Sequence, residues 1–296
     1  MLAGSVPAVA SGSSYAVAPA MRAPTIAESL QEYGRGLAGG LMFSLPLLYT
    51  MEMWWAGFIA TPYRLAGLLA FTYVLLLGYN RFAGMHRDAS WPEVFVDSVE
   101  ELGLGLLTSA GVLFLLQRIE ADTSASEALG KIVVEASVVA IGFSVGTAQL
   151  HAKEEDERED IGDRDSGFGA ELVMALCGAV LFAANVAPTE EILMIAVESD
   201  PFRLLGLAGL SLAIGSIVLY FSNFHRSSAV VHREGALDVI LGSTVTYAVG
   251  LVAAAIMLWF FGRFDGVAAE IAVRQVVVLA FPGTLGASAG RLLLST

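Results

Sequence analysis

The strongest constraint in this sequence is a succession of apolar runs. Each is near the roughly 20 residues a helix needs to cross about 30 Å of hydrocarbon. They fall at about 36–59, 63–81, 94–117, 127–150, 168–197, 202–222, 236–261 and 268–292. The runs are continuous and lack the period of two that marks membrane strands. The expected fold is therefore all-α, a polytopic transmembrane helix bundle of about eight spans. Thr61-Pro62 and Asp200-Pro201 are the short loops expected to close the first and third helical hairpins. Composition agrees: of 296 residues, 56% are hydrophobic and only 15% charged, against about 25% charged in soluble domains.

Sixteen basic and 29 acidic residues leave a net charge of −13. That balance excludes a nucleic-acid partner, which needs basic surface. The single cysteine, Cys177, excludes a disulfide framework or a cysteine-rich metal site. Residues 1–30, rich in Ala, Ser, Gly and Pro, read as a disordered tail without the basic and apolar regions of a signal peptide. Residues 151–167 carry eight acids and three bases and read as a solvated linker. They lack the order of oxygen ligands found in an EF-hand. No P-loop is present and no cofactor is expected. With eight spans, ten Lys and Arg fall on the side of both termini and six on the other, which points to cytoplasmic termini.

The linker separates two similar halves, residues 31–150 and 168–296. A gap-free shift of 139 places Gly39 on Gly178, Phe43 on Phe182, Thr50 on Thr189, Glu52 on Glu191, Pro62 on Pro201 and Arg64 on Arg203. A shift of 140 pairs Ser144-Val145-Gly146 with Thr284-Leu285-Gly286, and Asp97 pairs with Asp238 at 141. Four spans per half is an even number, so the expectation is two parallel four-helix repeats about an axis along the membrane normal. Gly36/Gly40, Gly142/Gly146 and Gly286/Gly290 have the GxxxG spacing of close helix packing.

Acids inside a membrane are costly and usually functional. Glu52 lies roughly 24 Å along the first run at 1.5 Å per residue. Glu191 is its repeat mate, with Glu190 beside it. Pro46 and Pro188 stand upstream, where a proline frees a backbone carbonyl and broken helices build ion sites. Thr50, and Asn185 and Thr189 with the two glutamates of the second half, add oxygen ligands suited to a hard cation. A metal ion, if held, is expected at Glu52 and Glu191. Glu135 lies near the middle of the fourth run, with Lys131 one turn away and placed to neutralise it. Asp97, Glu100 and Glu101 share a helix face near the inner end of the third run, with Asp238 as the second half's counterpart.

Together these acids form a ladder that lowers the barrier for a cation or relays protons. The functional expectation is a cation or proton channel or transporter. The rival is a non-conducting scaffold or sensor whose acids are structural ion pairs. The expected partners are the lipid bilayer and cations or protons, with a homo-oligomer left open. Four histidines, His86, His151, His225 and His232, fall in or beside inner loops.

Glu190-Glu191 is similar to the Glu-Glu-x-x-x-Arg signature of intramembrane CAAX-type proteases. Position 195 is Ile, however, and no histidine falls inside a predicted span, so no enzyme is expected. The stretches EYGRGLAGGLMFSLPLLYTMEMWWAGF, DSVEELGLGL, GKIVVEASVVAIGFSVGTAQL and LFAANVAPTEEILMIAVE resemble a bacterial family of uncharacterised multi-span integral membrane proteins. The resemblance implies a bacterial multi-span membrane protein and brings no activity or ligand; the expected location is the bacterial inner membrane.

Overall fold

The fold comes from a computed structural model that describes residues 26–83, 90–155, 168–226 and 236–295. All regular structure among the described residues is helical. In chain order the helices are α1 (Ile26–Leu48), α2 (Met51–Ile59), α3 (Pro62–Phe82), α4 (Trp91–Leu115), α5 (Ala125–Glu155), α6 (Phe168–Val186), α7 (Glu191–Glu198), α8 (Pro201–Arg226), α9 (Ala236–Phe260) and α10 (Ala269–Ser295). Only a helix satisfies every backbone group within one apolar segment. Seven of them, α3, α4, α5, α6, α8, α9 and α10, are long and apolar enough to cross a membrane.

The first and fifth predicted runs are not single helices. The first is split into α1 and α2, two residues past Pro46, and the fifth into α6 and α7 at Ala187–Glu190, around Pro188. Proline lacks the N–H needed to continue the helical ladder. The freed ends are closed by the two repeat-mate threonines. Thr50 Oγ1 donates to the Pro46 carbonyl, and Thr189 Oγ1 to the Val186 carbonyl at 2.8 Å. Pro62 and Pro201 instead open α3 and α8, where no N–H partner is required. Two helices outrun their predicted spans: α5 continues past 150 to include His151, and α8 past 222 to include His225. His86 and His232 lie outside the described residues, as does most of the acidic linker. Helix α1 begins at Ile26, within the stretch read as a tail.

Two central helices organise the packing. Helix α5 packs against α1, α2, α3 and α4, and α10 against α6, α7, α8 and α9. The halves meet chiefly where α3 packs on α6, with smaller contacts from α5 and α1 to α6 and from α3 to α9. Across its membrane-length window α5 is 78% buried, whereas α4 and α8 are 22% buried and face outward.

The tightest crossings are built on glycine. A methyl group at Gly39 of α1 would lie 2.6 Å from the Gly142 carbonyl oxygen of α5 and against the Gly146 backbone. In the second half Gly178 of α6 meets the Gly286 and Gly290 backbone of α10 just as closely. All three predicted GxxxG pairs lie in these two crossings. The α4–α5 and α9–α10 loops also share one cap. Arg118 N–H bonds the Leu113 carbonyl at 2.8 Å, and Arg263 N–H bonds the Leu258 carbonyl at 2.9 Å. This six-to-one bond needs a left-handed residue just before it. Gly262 supplies it with φ +70°, and Gln117 with φ +57°.

Candidate functional site

Helix α5 carries the most deeply buried acid of the described chain. Glu135 is 1% exposed, and neither carboxylate oxygen has a hydrogen-bond partner among the described residues. It lies on the same stripe of α5 as Val139, Gly142 and Gly146, the stripe pressed against α1. Gly40 of α1 meets α5 at Val139, and Gly57 of α2 meets it at Gly130 and Lys131. The break between α1 and α2 therefore falls beside Glu135.

Lys131 does not neutralise Glu135, as the one-turn spacing suggested. Its Nζ pairs with Glu127 Oε1 at 2.6 Å and donates to the Arg118 carbonyl at 3.0 Å. Both partners lie toward the α4–α5 loop, where the ammonium is closer to water than it would be beside Glu135.

A second polar centre sits about nine residues further along α5, roughly 13 Å at 1.5 Å per residue. Asn80 of α3 donates through Nδ2 to Glu101 Oε2 at 2.7 Å and to Ser98 Oγ at 3.1 Å. Ser144 of α5 donates to Asn80 Oδ1 at 3.1 Å. Asn80, Ser98 and Ser144 are buried, so this amide fixes the Glu101 carboxylate between α3, α4 and α5. None of the three was singled out as a ligand from sequence. The available signal was a lone amide in an apolar run, which acquires meaning only once the helices pack.

The predicted face of Asp97, Glu100 and Glu101 divides. Glu101 turns inward to Asn80, Glu100 is exposed and accepts from the Tyr33 hydroxyl of α1, and Asp97 is half-buried. Ser98, Glu101, Gly105 and Ser109 recur at three- and four-residue spacing along α4. Gly105 faces Ala136 and Ala140 of α5, and Ser109 is buried with no partner for its hydroxyl among the described residues.

A family model described as "Putative integral membrane protein (DUF2391)" matches residues 32–294. The chain belongs to that family. Together with its seven apolar helices, this makes it an integral membrane protein of several spans. No curated protein and no solved structure matches it.

In this DUF2391 chain the outer acids are placed differently from Glu135 and Glu101. Glu52, in the first turn of α2, is half-buried, and Glu191, in the first turn of α7, is exposed. Helix α2 packs on α5 and α7 on α10, so the two repeat mates attach to different central helices. Glu190 is not a free ligand: its Oε1 lies 2.7 Å from Arg263 Nη1. Arg263 also donates to the Pro188 carbonyl, placing a guanidinium on the second helix break. Asn185 donates to the Leu181 carbonyl at 2.6 Å and the Phe43 carbonyl at 3.4 Å, tying α6 to α1. Its Oδ1 is buried without a partner among the described residues. Asp238 lies in the first turn of α9, and its side chain is outside the described residues.

Several other charges are paired. Arg274 bonds Glu270 one turn away and the Ser199 carbonyl at 2.9 Å. Arg291 bonds Glu171 at 2.7 Å. Arg64 reaches from the start of α3 to Asp265, at 2.7 Å, in the α9–α10 loop. The hydrogen bond from this guanidinium holds the Asp265 carboxyl below the usual carboxylate range. No group of three or more His, Cys, Asp or Glu placed to hold a metal ion occurs among the described residues.

Proposed function

We propose that this protein moves a cation or a proton across a bacterial inner membrane through its intramembrane carboxylates. The observation that carries this reading is the pair of acid centres along α5, Glu135 and the Glu101–Asn80–Ser144 group. Buried carboxylates are expensive, and a chain with no use for them gains stability by replacing them with apolar residues. The stripe from Glu101 to Ser109 along α4 gives polar stepping points on the face turned to α5. With α1 and α2 together taken as an eighth crossing, the Lys and Arg count favours both termini in the cytoplasm. We also read the chain as a duplication. The matching packing of α5 and α10, the two glycine crossings and the two six-to-one caps support that reading.

A second reading has its own observation. Glu127, Glu171, Glu190 and Glu270 are each paired with a Lys or Arg, as a non-conducting scaffold or sensor would require. Flux measurements separate the two. Purified protein in liposomes is compared for proton, sodium, potassium and calcium movement as wild type, Glu135→Gln, Glu101→Gln and Glu52→Gln/Glu191→Gln. Transport requires flux in the wild type that falls at least tenfold in Glu135→Gln or Glu101→Gln. Protein that moves no ion belongs to the scaffold reading. Loss of flux only in the Glu52/Glu191 pair would shift the site to the outer acids.

A further inference from the structure

The two helix breaks are built alike but charged differently. Glu135 stands eleven residues before Gly146, the glycine of the α1–α5 crossing, and Gln275 stands eleven before Gly286, the glycine of the α6–α10 crossing. Both are fully buried, Gln275 at 0% exposed, and both leave acceptor oxygens without a hydrogen-bond partner among the described residues.

Their surroundings then diverge. At the second break Arg263 bonds the Pro188 carbonyl and Glu190, and its own carbonyl receives Gln275 Nε2 at 3.4 Å. At the first break the arginine after the matching cap, Arg118, reaches the break only through Trp54 of α2, whose indole N–H donates to the Leu48 carbonyl at 3.2 Å. Arg118 lies over the Trp54 ring at 4.5 Å and bonds the Leu116 carbonyl. One break thus holds a guanidinium bonded to its carbonyl and a neutral amide, and the other a carboxyl with no cation bonded to it among the described residues.

We propose that Glu135 is a reversible proton-binding site and that Gln275 is its non-titrating counterpart, so that exchange is confined to the first half of the molecule. The inference deepens the transport reading and rests on it for access to the two sides of the membrane. The step is simple: a carboxylate oxygen of Glu135 takes up a proton to give the neutral acid, and release returns the anion.

The alternative occupant, a metal cation, needs several oxygen ligands. The core around this stretch of α5 includes the apolar side chains of Leu47, Met53, Val134 and Val138. The nearby hydroxyl of Ser137 donates to its own helix, to the Val133 carbonyl, and that of Thr50 to the Pro46 carbonyl at the end of α1.

Of the described charged side chains on the helices packed against α5, all but Glu52 are engaged or distant. Arg35 of α1 lies near Gly146, about eleven residues along α5, and has a partner of its own. Glu52 of α2 is half-buried. Arg64 of α3 is bound to Asp265, and Arg81 stacks on Trp91 at the other end of that helix. On α4, Glu93 caps Ser90, Asp97 has a partner, Glu100 accepts from Tyr33 and Glu101 from Asn80. Glu171 of α6 is bound to Arg291. On α5 itself, Lys131 is taken by Glu127.

Infrared difference spectra of the full chain in liposomes, recorded as pH is raised, test this. A protonated carboxyl gives a carbonyl band that shifts on exchange into deuterium oxide. Glu135 should contribute a component at the high-frequency end, because its oxygens accept no hydrogen bond from the described residues. Glu101, bonded by Asn80, would absorb lower. The high-frequency component should vanish in Glu135→Gln, survive in Glu101→Gln and return, displaced, in Glu135→Asp, which guards against a folding defect in the amide variant. A wild type without that component, or one that keeps it in Glu135→Gln, overturns the proposal. Flux from the same liposomes separates the two claims. A Glu135-dependent band without proton flux rejects transport and keeps the site. Proton flux without the band keeps transport and rejects the site.

Discussion

Lys131 Nζ lies 2.6 Å from Glu127 Oε1, one turn toward the start of α5, although Glu135 stands one turn the other way. The two acids are equivalent by spacing and opposite in surroundings. Replacing Lys131 with Met should therefore leave the infrared component of Glu135 unchanged. The loss in thermal stability should be about 1 kcal/mol or less, typical of a partly exposed pair at this spacing. A displaced component would show that the ammonium reaches Glu135.

The glycine crossings predict a sharp contrast among glycines. Gly39→Leu or Gly178→Leu forces a side chain into the backbone of the partner helix, and overpacking of this kind costs about 1–3 kcal/mol and occasionally more. Gly103 and Gly111 on α4 have nothing within 4 Å of an added methyl. Gly111→Ala should raise stability by about 0.5–1 kcal/mol through helix propensity. Thermal aggregation midpoints in detergent rank these variants, and equal behaviour at Gly39 and Gly111 would contradict the crossing.

Gln117 and Gly262 occupy the same place in the two caps. A left-handed backbone costs a side-chain-bearing residue about 1–2 kcal/mol. Gln117→Gly should thus stabilise the protein by about 1 kcal/mol. Gly262→Ala should destabilise it, since its φ is +70° and the new methyl would lie 2.6 Å from Arg64 Nη1. A melting comparison that ranks the two substitutions the other way would sink this account of the caps.

Arg64 and Asp265 join the halves across the α3 and α9–α10 ends. The Asp265 carboxyl is held below its ordinary value of 3.8 by the Arg64 hydrogen bond. Its folded value is depressed, so its contribution is present above 3.8 and disappears as pH falls through the lower folded value. Asp265→Asn should lower the melting temperature slightly at pH 7, less so in high salt, and leave it unchanged in strongly acidic solution. A difference that grows on acidification would contradict the pair.

Much of this architecture was legible in the runs, the prolines and the glycines. Their signals are local: an apolar stretch specifies a helix, Pro46 and Pro188 end one, and GxxxG marks a face that tolerates contact. The choice made by Lys131 was not legible, because Glu127 and Glu135 lie at the same distance in sequence and only packing makes them differ. Asn80, Ser98 and Ser144 come from three helices and become one group through tertiary contact alone. Arg263 stands in the eight-residue α9–α10 loop, 261–268, and only tertiary packing turns it back onto the second break.

The packing of α5 and α10 bears on how the chain enters a bilayer. A lone acid at the centre of a helix costs about 3 kcal/mol to insert. The four elements that enclose Glu135 all precede it in the chain, and so do the four that enclose Gln275. During synthesis each half therefore makes its central helix last, and that helix leaves the ribosome when the walls of its groove already exist. The order of the elements along the chain spares α5 and α10 from standing alone in lipid.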